Sequence, residues 1–200
     1  MFARYGEFES AATVEGIRSA VRRRDGYLDA VNAATRGDAR LRYALIGEGS
    51  QKERLQRRVA DEGLDNVLIL DPVPKDELAD VLATADIGLM TVAPIPILEM
   101  NCANKFFDYL ASGLPVALNY GGWQGGVLSE HDCGLSACQG DQGAFNAAVV
   151  RLAGDQSLRR RMSANARALA ETALNRRTVV RPLLERLARL GSAHGPPGER

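Results

Sequence analysis

The sequence predicts an α/β fold, a Rossmann-like parallel sheet with helices on both faces. Three observations carry that expectation. Short apolar runs alternate with amphipathic stretches along the chain. The runs are near-continuously hydrophobic, which suits strands covered on both sides. Glycine and proline punctuate the chain directly after them, as strand-to-helix turns require.

Taken in order, Phe2 to Tyr5 reads as the remainder of a first strand, followed by helices over about Thr13 to Arg24 and Tyr27 to Ala34. Leu41–Ile46 is the next strand, ended by Gly47-Glu48-Gly49. Ser50 is placed to cap a helix whose apolar residues Leu55 and Val59 lie four apart. Val67–Leu70 is a strand closed by Pro72 and Pro74, and Asp76–Ala83 a helix with Leu78, Val81 and Leu82 inward. Asp86–Met90 is a strand leading into a proline-bearing loop, Ala93 to Ala103. Lys105–Ala111 is helical and stops at Gly113. Leu114–Asn119 is a strand, and the glycine run Gly121 to Gly126 leads into a helix near Val127 to Glu130. After a turn through Gly134 come three helices. The first carries Phe145, Val149 and Leu152 on one stripe, the second Leu158, Met162, Ala166 and Leu169, and the third runs from Pro182 to Leu190.

Composition bounds the function. The 200 residues carry 25 basic and 25 acidic side chains, so a broadly basic nucleic-acid binder is disfavoured. Only Lys52, Lys75 and Lys105 among the cations are lysine. The odd cysteine set, Cys102, Cys133 and Cys138, fits reduced thiols in a cytoplasmic protein. His131 with Cys133 and Cys138 matches no common zinc spacing, and no metal is expected. The thiols are instead expected half-buried in a turn. No apolar run approaches a membrane span, and the N-terminus has no secretory h-region. Residues 1–190 are read as one domain and 191–200 as a disordered tail.

Ligands of such sheets bind beyond the carboxyl ends of the strands. Three segments there are unusual. Gly47-Glu48-Gly49-Ser50 lets a ligand approach backbone amides at a helix start, or is a plain strand-to-helix turn. In Asn104 to Pro115, Lys105 and Asp108 share a helix face. The lysine suits phosphate oxygens and the carboxylate suits two vicinal hydroxyls of a ribose or sugar; a surface ion pair is the alternative. Gly121 to Gly126 offers exposed amides to a diphosphate or sugar, or is a flexible loop with Trp123 as a partly buried anchor.

The segment Asn104-Lys105-Phe106-Phe107-Asp108-Tyr109-Leu110-Ala111-Ser112-Gly113-Leu114-Pro115-Val116 resembles the donor site of family 4 glycosyltransferases of the two-domain GT-B class, in the branch that builds bacterial polysaccharides. Leu45 to Gly49, Asn66 to Leu78 and Ala85 to Leu89 resemble neighbouring parts of that family, and the likeness runs from about 41 to 190. The resemblance implies the C-terminal, nucleotide-sugar half of such an enzyme, with the N-terminal acceptor half absent. Asp108 would hold the ribose hydroxyls, and Lys105, with Asn104 beside it, would lie near the phosphates. Gly47 and Gly49 would form the family's glycine turn, Pro72 and Val73 would face the base, and Gly121 and Gly122 would border the diphosphate and sugar. Arg4 is the candidate for a phosphate-holding residue after the first strand. Many relatives carry a second acid eight residues before the one at Asp108. That place is Met100 here, so Glu99, one residue out of register, is the candidate donor-sugar ligand.

The implied reaction is transfer of a sugar from a nucleoside-diphosphate sugar, a UDP-sugar by preference, to a glycan or lipid-linked acceptor. It needs no cofactor, but it needs a partner chain or domain for the acceptor. Membrane contact is expected only through that partner or a lipid-linked acceptor, at the inner face. The competing reading is a non-catalytic nucleotide-sugar binding or interaction module. A nucleotide-sugar epimerase half would need acidic and histidine residues in the cleft, and His131 and His194 are poorly placed for that. A dehydrogenase is disfavoured because no full Gly-x-Gly-x-x-Gly follows a strand.

Overall fold

The computed structural model describes residues 41–193. The expected first strand, the helices expected between Thr13 and Ala34, and Arg4 lie outside the described residues. Among the described residues, five parallel strands form two sheets. The first pairs β1 (Tyr43–Ile46) with β2 (Val67–Leu70), in register Tyr43 to Val67. The second has the order β3 (Gly88–Met90), β4 (Val116–Leu118), β5 (Gly134–Ser136). Helix α1 (Lys52–Asp61) joins β1 to β2, and α2 (Leu78–Ala83) joins β2 to β3. A short 3-10 turn, Pro96–Met100, precedes α3 (Asn104–Ala111), and α4 (Gly122–Glu130) joins β4 to β5. Helices α5 (Gln142–Gly154), α6 (Gln156–Glu171) and α7 (Arg176–Ala193) complete the described chain.

Strand β4 shows why the apolar run is unbroken. Val116 and Leu118 pack into one cluster with Met90, Phe106, Leu110, Leu128, Ala166 and Leu169. Ala117, between them, faces a second cluster with Tyr43, Leu45, Phe145, Val149, Leu152, Leu158 and Met162. Side chains alternate across a strand, so a strand buried on both faces must be apolar at every position. The second cluster also links the two sheets, since β1 and β4 both contribute to it. Helix α6 serves both clusters, Leu158 and Met162 in one and Ala166 and Leu169 in the other.

Several expected boundaries change. Ser50 does not cap α1. The chain enters through a backbone turn in which Lys52 N–H donates to the Gly49 carbonyl, and Gln51 precedes the helix with no side-chain cap. Helix α2 starts at Leu78 rather than Asp76, because the Pro74 carbonyl takes the Glu77 N–H in a turn first. The proline loop contains helical residues, with Pro96 in the first turn, where its fixed φ suits the helix and its missing N–H costs nothing. The turn expected at Gly134 is strand β5, completed by pairing with β4. The final helix begins at Arg176, not Pro182. Asn175 Oδ1 accepts the Arg177 N–H at 2.9 Å and starts it, leaving Pro182 inside. It also runs three residues past the expected start of the tail, to Ala193. The thiols split rather than share a half-buried turn: Cys133 is buried, while Cys138 and Cys102 are exposed.

Candidate functional site

The strand-end segments come together through backbone and amide contacts. At β1 and β2, Gly47 N–H donates to the Leu70 carbonyl at 3.2 Å, which sets the glycine turn beside the start of the Asp71-Pro72-Val73 segment. Lys52 fastens the two. Its Nζ lies 2.6 Å from Glu48 and 2.5 Å from Asp71, and its side chain is 13% exposed. The Asp71 and Glu48 carboxylates beside it raise the Lys52 pKa, and Lys52 lowers that of Asp71. Gly49 and Pro72 are exposed, while Gly47 and Val73 are half-buried. Sequence reasoning passed over Lys52, whose partners come from two turns far apart in the chain.

At β3 and β4, side-chain amides clamp the loop after β3. Asn119 Nδ2 donates to the Val92 carbonyl at 2.9 Å while Val92 N–H donates to Asn119 Oδ1 at 2.8 Å, a two-way pairing like that of two peptides. Gln139 Nε2 donates to the Ile95 carbonyl at 2.9 Å and the Ala93 carbonyl at 3.3 Å. Neither residue carries a sequence signal: Asn119 is the last residue of an expected strand, and Gln139 follows an expected turn.

The clamped loop delivers the 3-10 turn against the start of α4. Gly122 has φ +62°, and a Cβ there would collide with the Glu99 carbonyl oxygen. Only glycine accepts both the left-handed backbone and that approach. Trp123 Nε1 donates to the Asn101 carbonyl at 3.0 Å. Its ring sits 5.7 Å from Phe106, edge on, and 6.2 Å from Phe107. These contacts tie α4 to α3. The run Gly121 to Gly126 is therefore helical rather than a loop: it caps and forms the first half of α4, and burial takes Gln124 and Gly125 inside. Trp123 is the partly buried anchor the sequence suggested, 39% exposed.

Two helix starts thus face the carboxyl ends of β3 and β4. Neither α3, preceded by Ala103, nor α4, preceded by Gly121, has a side-chain cap. By contrast, Asp141 caps α5 and Asp155 caps α6. Uncapped N–H groups and the positive end of the helix dipole suit an anion. On α3, Asn104 is exposed, and Lys105 and Asp108 are half-buried. Among the described residues the Asp108 carboxylate makes no hydrogen bond or ion pair, so it is not spent on a local ion pair. The structure also separates Glu99 from Met100. Glu99 is half-buried with its backbone against Gly122, while Met100 is 75% exposed. Gln124 is fully buried beneath the α4 start; it accepts a hydrogen bond from the Tyr120 hydroxyl, and its Nε2 has no partner. Among the described residues, no group of three His, Cys, Asp or Glu side chains gathers as metal ligands. No described helix is long and apolar enough to cross a membrane.

Of the sequence candidates, Glu99, Gly121, Gly122 and the α3 residues Asn104, Lys105 and Asp108 fall on elements joined directly by these contacts. Gly47, Gly49, Pro72 and Val73 lie at the ends of the other sheet.

Comparison with known proteins gives the same reading of the architecture. No curated protein sequence matches the chain. Among solved structures, sucrose-phosphate synthase from Thermosynechococcus elongatus superposes with a TM-score of 0.67 at 19% identity, over 82% of this chain and 42% of that one. A variant of TarM from S. aureus, in complex with fondaparinux, α-GlcNAc-glycerol and UDP, gives 0.61 at 14% identity, over 73% and 29%. WaaG, a glycosyltransferase involved in lipopolysaccharide biosynthesis, gives 0.57 at 19%, over 72% and 39%. At such identities the likeness is one of fold, that of one half of a GT-B glycosyltransferase, and the chain spans under half the length of each. Residues 17–155 match the family described as Glycosyl transferases group 1. The chain belongs to the group 1 glycosyltransferases.

Proposed function

We propose that this chain is the donor half of a sugar transferase. It binds a nucleoside-diphosphate sugar, with a UDP-sugar preferred, and a partner chain or domain supplies the acceptor. The acceptor is a glycan or a lipid-linked glycan. The observation that carries the reading is the pairing of two uncapped helix starts, α3 and α4, with the unpaired Asp108 carboxylate. A nucleoside diphosphate needs both kinds of group: amides and positive dipole ends for the diphosphate, and a carboxylate acceptor for vicinal ribose hydroxyls.

In this reading the Gly121–Gly122 amides and Lys105 face the diphosphate. They stabilise the negative charge that grows on the leaving group as the glycosidic bond breaks, which is electrostatic assistance without a protein nucleophile. Asp108 accepts the ribose hydroxyls, and Glu99 orients the sugar. Pro72 and Val73, held beside the glycine turn by Lys52, line the base. Orientation of the acceptor requires the other half, because transfer depends on holding both reactants in line.

Titration of the chain with UDP and GDP by calorimetry tests the proposal. Weak binding of at least one is expected, with no transfer to a lipid-linked acceptor by the chain alone. Asp108→Ala should weaken binding by roughly 1–3 kcal/mol through loss of charged hydrogen bonds. Absence of binding by either nucleotide would refute the donor site, and an unchanged affinity would remove Asp108 from it.

A further inference from the structure

Helix α7 is amphipathic and cationic, and no described element covers its apolar face. Val179, Leu183 and Leu187 repeat every four residues, with Leu184 beside them, and they are 57%, 57%, 53% and 59% exposed. The helix carries five arginines, Arg176, Arg177, Arg181, Arg186 and Arg189, against one acid, Glu185, whereas over the whole chain 25 basic and 25 acidic side chains cancel. At 100° per residue the apolar residues form one stripe. Arg177 and Arg181 fall along the edge next to Leu184, and Arg186 along the edge next to Val179. At the root of α7, Phe107, Leu110 and Leu174 line a cavity of about 250 Å³ with Arg176 also in its wall.

We propose that α7 lies flat on an anionic lipid surface. The stripe enters the boundary between headgroups and acyl chains, and the flanking arginines meet lipid phosphates. Charge complementarity selects this occupant. A protein partner needs only the apolar row, whereas an anionic bilayer matches the row and the cationic edges on both of its sides. The cavity beside Arg176 continues the apolar surface toward α3 through Phe107, Leu110 and Leu174. This gives the chain a membrane contact of its own, in addition to any through a partner. It does not depend on the nucleotide reading, since α7 contains none of the residues proposed to hold the donor.

The test is flotation of the whole chain with two vesicle preparations. One is phosphatidylcholine alone, and the other is two parts phosphatidylcholine to one part phosphatidylglycerol. Binding to the anionic vesicles, weakened by salt, is expected, with little to the neutral ones. A Leu183→Glu/Leu187→Glu variant should bind at least about ten-fold more weakly, with unchanged circular dichroism, because those side chains leave the core untouched. Arg177→Gln and Arg186→Gln should each cost about five-fold. Equal binding to both vesicles, no binding to either, or indifference to the leucine substitutions would overturn the proposal. So would a dimer in solution that Leu183→Glu dissociates while vesicles are ignored, since the stripe would then belong to a second copy. UDP titration of the same variant should be unchanged, which separates failure here from failure of the donor site.

Discussion

Helices α6 and α7 are consecutive, of similar length and both rich in arginine, yet the fold uses them in opposite ways. In α6 the apolar stripe Leu158, Met162, Ala166 and Leu169 is almost wholly buried. Three of its four arginines are committed as well. Arg159 donates to the Leu152 and Ala153 carbonyls, Arg161 to Asp132 at 2.7 Å, and Arg167 to Glu171 and to the Ala111 carbonyl. Its Ser163 hydroxyl donates to the Gly113 carbonyl at 2.6 Å, locking the helix to the turn after α3. In α7 the corresponding stripe faces outward, and a long pair of 3.9 Å joins Arg189 to Glu185 along one exposed face. The same pattern of residues makes a core helix where α3 and α5 face it, and leaves an exposed stripe where no described element does. Amphipathicity specifies that a face will be covered, not by what.

The largest expected effect breaks this contrast directly. Met162→Ala and Leu169→Ala should each destabilise the chain by about 2–4 kcal/mol, through lost burial and the cavity left behind. Leu183→Ala and Leu187→Ala should stay within about 0.5 kcal/mol of the parent. Urea unfolding of the four variants checks it. A cost for the α7 variants equal to that for α6 would mean that α7 is packed in the free chain.

The same contrast shows what the sequence could tell. The α6 and α5 stripes were legible because helical periodicity and burial coincide there. The α7 residues Leu183 and Leu187 carry an equally regular stripe, but their exposure depends on which surfaces remain free after the rest has folded. Strand β5 was missed because Cys133-Gly134-Leu135-Ser136 is too short for a period. It is a strand only because β4 offers it hydrogen bonds, and Gly134 is required because a Cβ would run into the Val116 carbonyl. The glycine run misled for a related reason. At Gly122 glycine permits close approach of another backbone rather than mobility, and the other backbone, Glu99, is distant in sequence. In the candidate site, the positions after strands and the Lys105/Asp108 spacing were readable. The Asn119 and Gln139 clamps, the Lys52 bridge and the buried Gln124 were not, since each depends on a partner that only folding supplies.

A smaller effect, read as rate, sharpens the comparison. Trypsin should cut after Arg186 and Arg189 at least about ten-fold faster than after Arg159, Arg160 or Arg161, because cleavage requires local opening, and α6 opens only with the core. Mass spectrometry of the first fragments checks the order. Anionic vesicles should protect the α7 bonds and leave the α6 bonds unchanged. Early cutting inside α6 would show that its packing does not restrain it.

The smallest effect concerns how the two helices begin. Asp155 accepts the Leu158 N–H at 2.9 Å and the Ser157 hydroxyl at 2.7 Å, so the start of α6 is held by a charge. Those hydrogen bonds, the one from Leu158 foremost, lower the Asp155 pKa below the ordinary carboxylate value. A group whose folded pKa is depressed adds stability above its unfolded pKa, about 3.9, and that stability is lost as pH falls through the folded value. The start of α7 is held by Asn175, whose amide oxygen accepts the Arg177 N–H and does not titrate in this range. Acidification from pH 5 toward pH 2 should therefore weaken the α6 start and spare the α7 start. Asp155→Asn keeps an acceptor at the cap without the charge, so it should lower the melting temperature slightly at pH 7 and converge with the parent at low pH. Asn175→Ala should shift it by an amount that pH does not alter. Parallel profiles for Asp155→Asn and the parent across this range would show that the charge on Asp155 contributes nothing to the cap, and that α6 relies on its buried stripe alone.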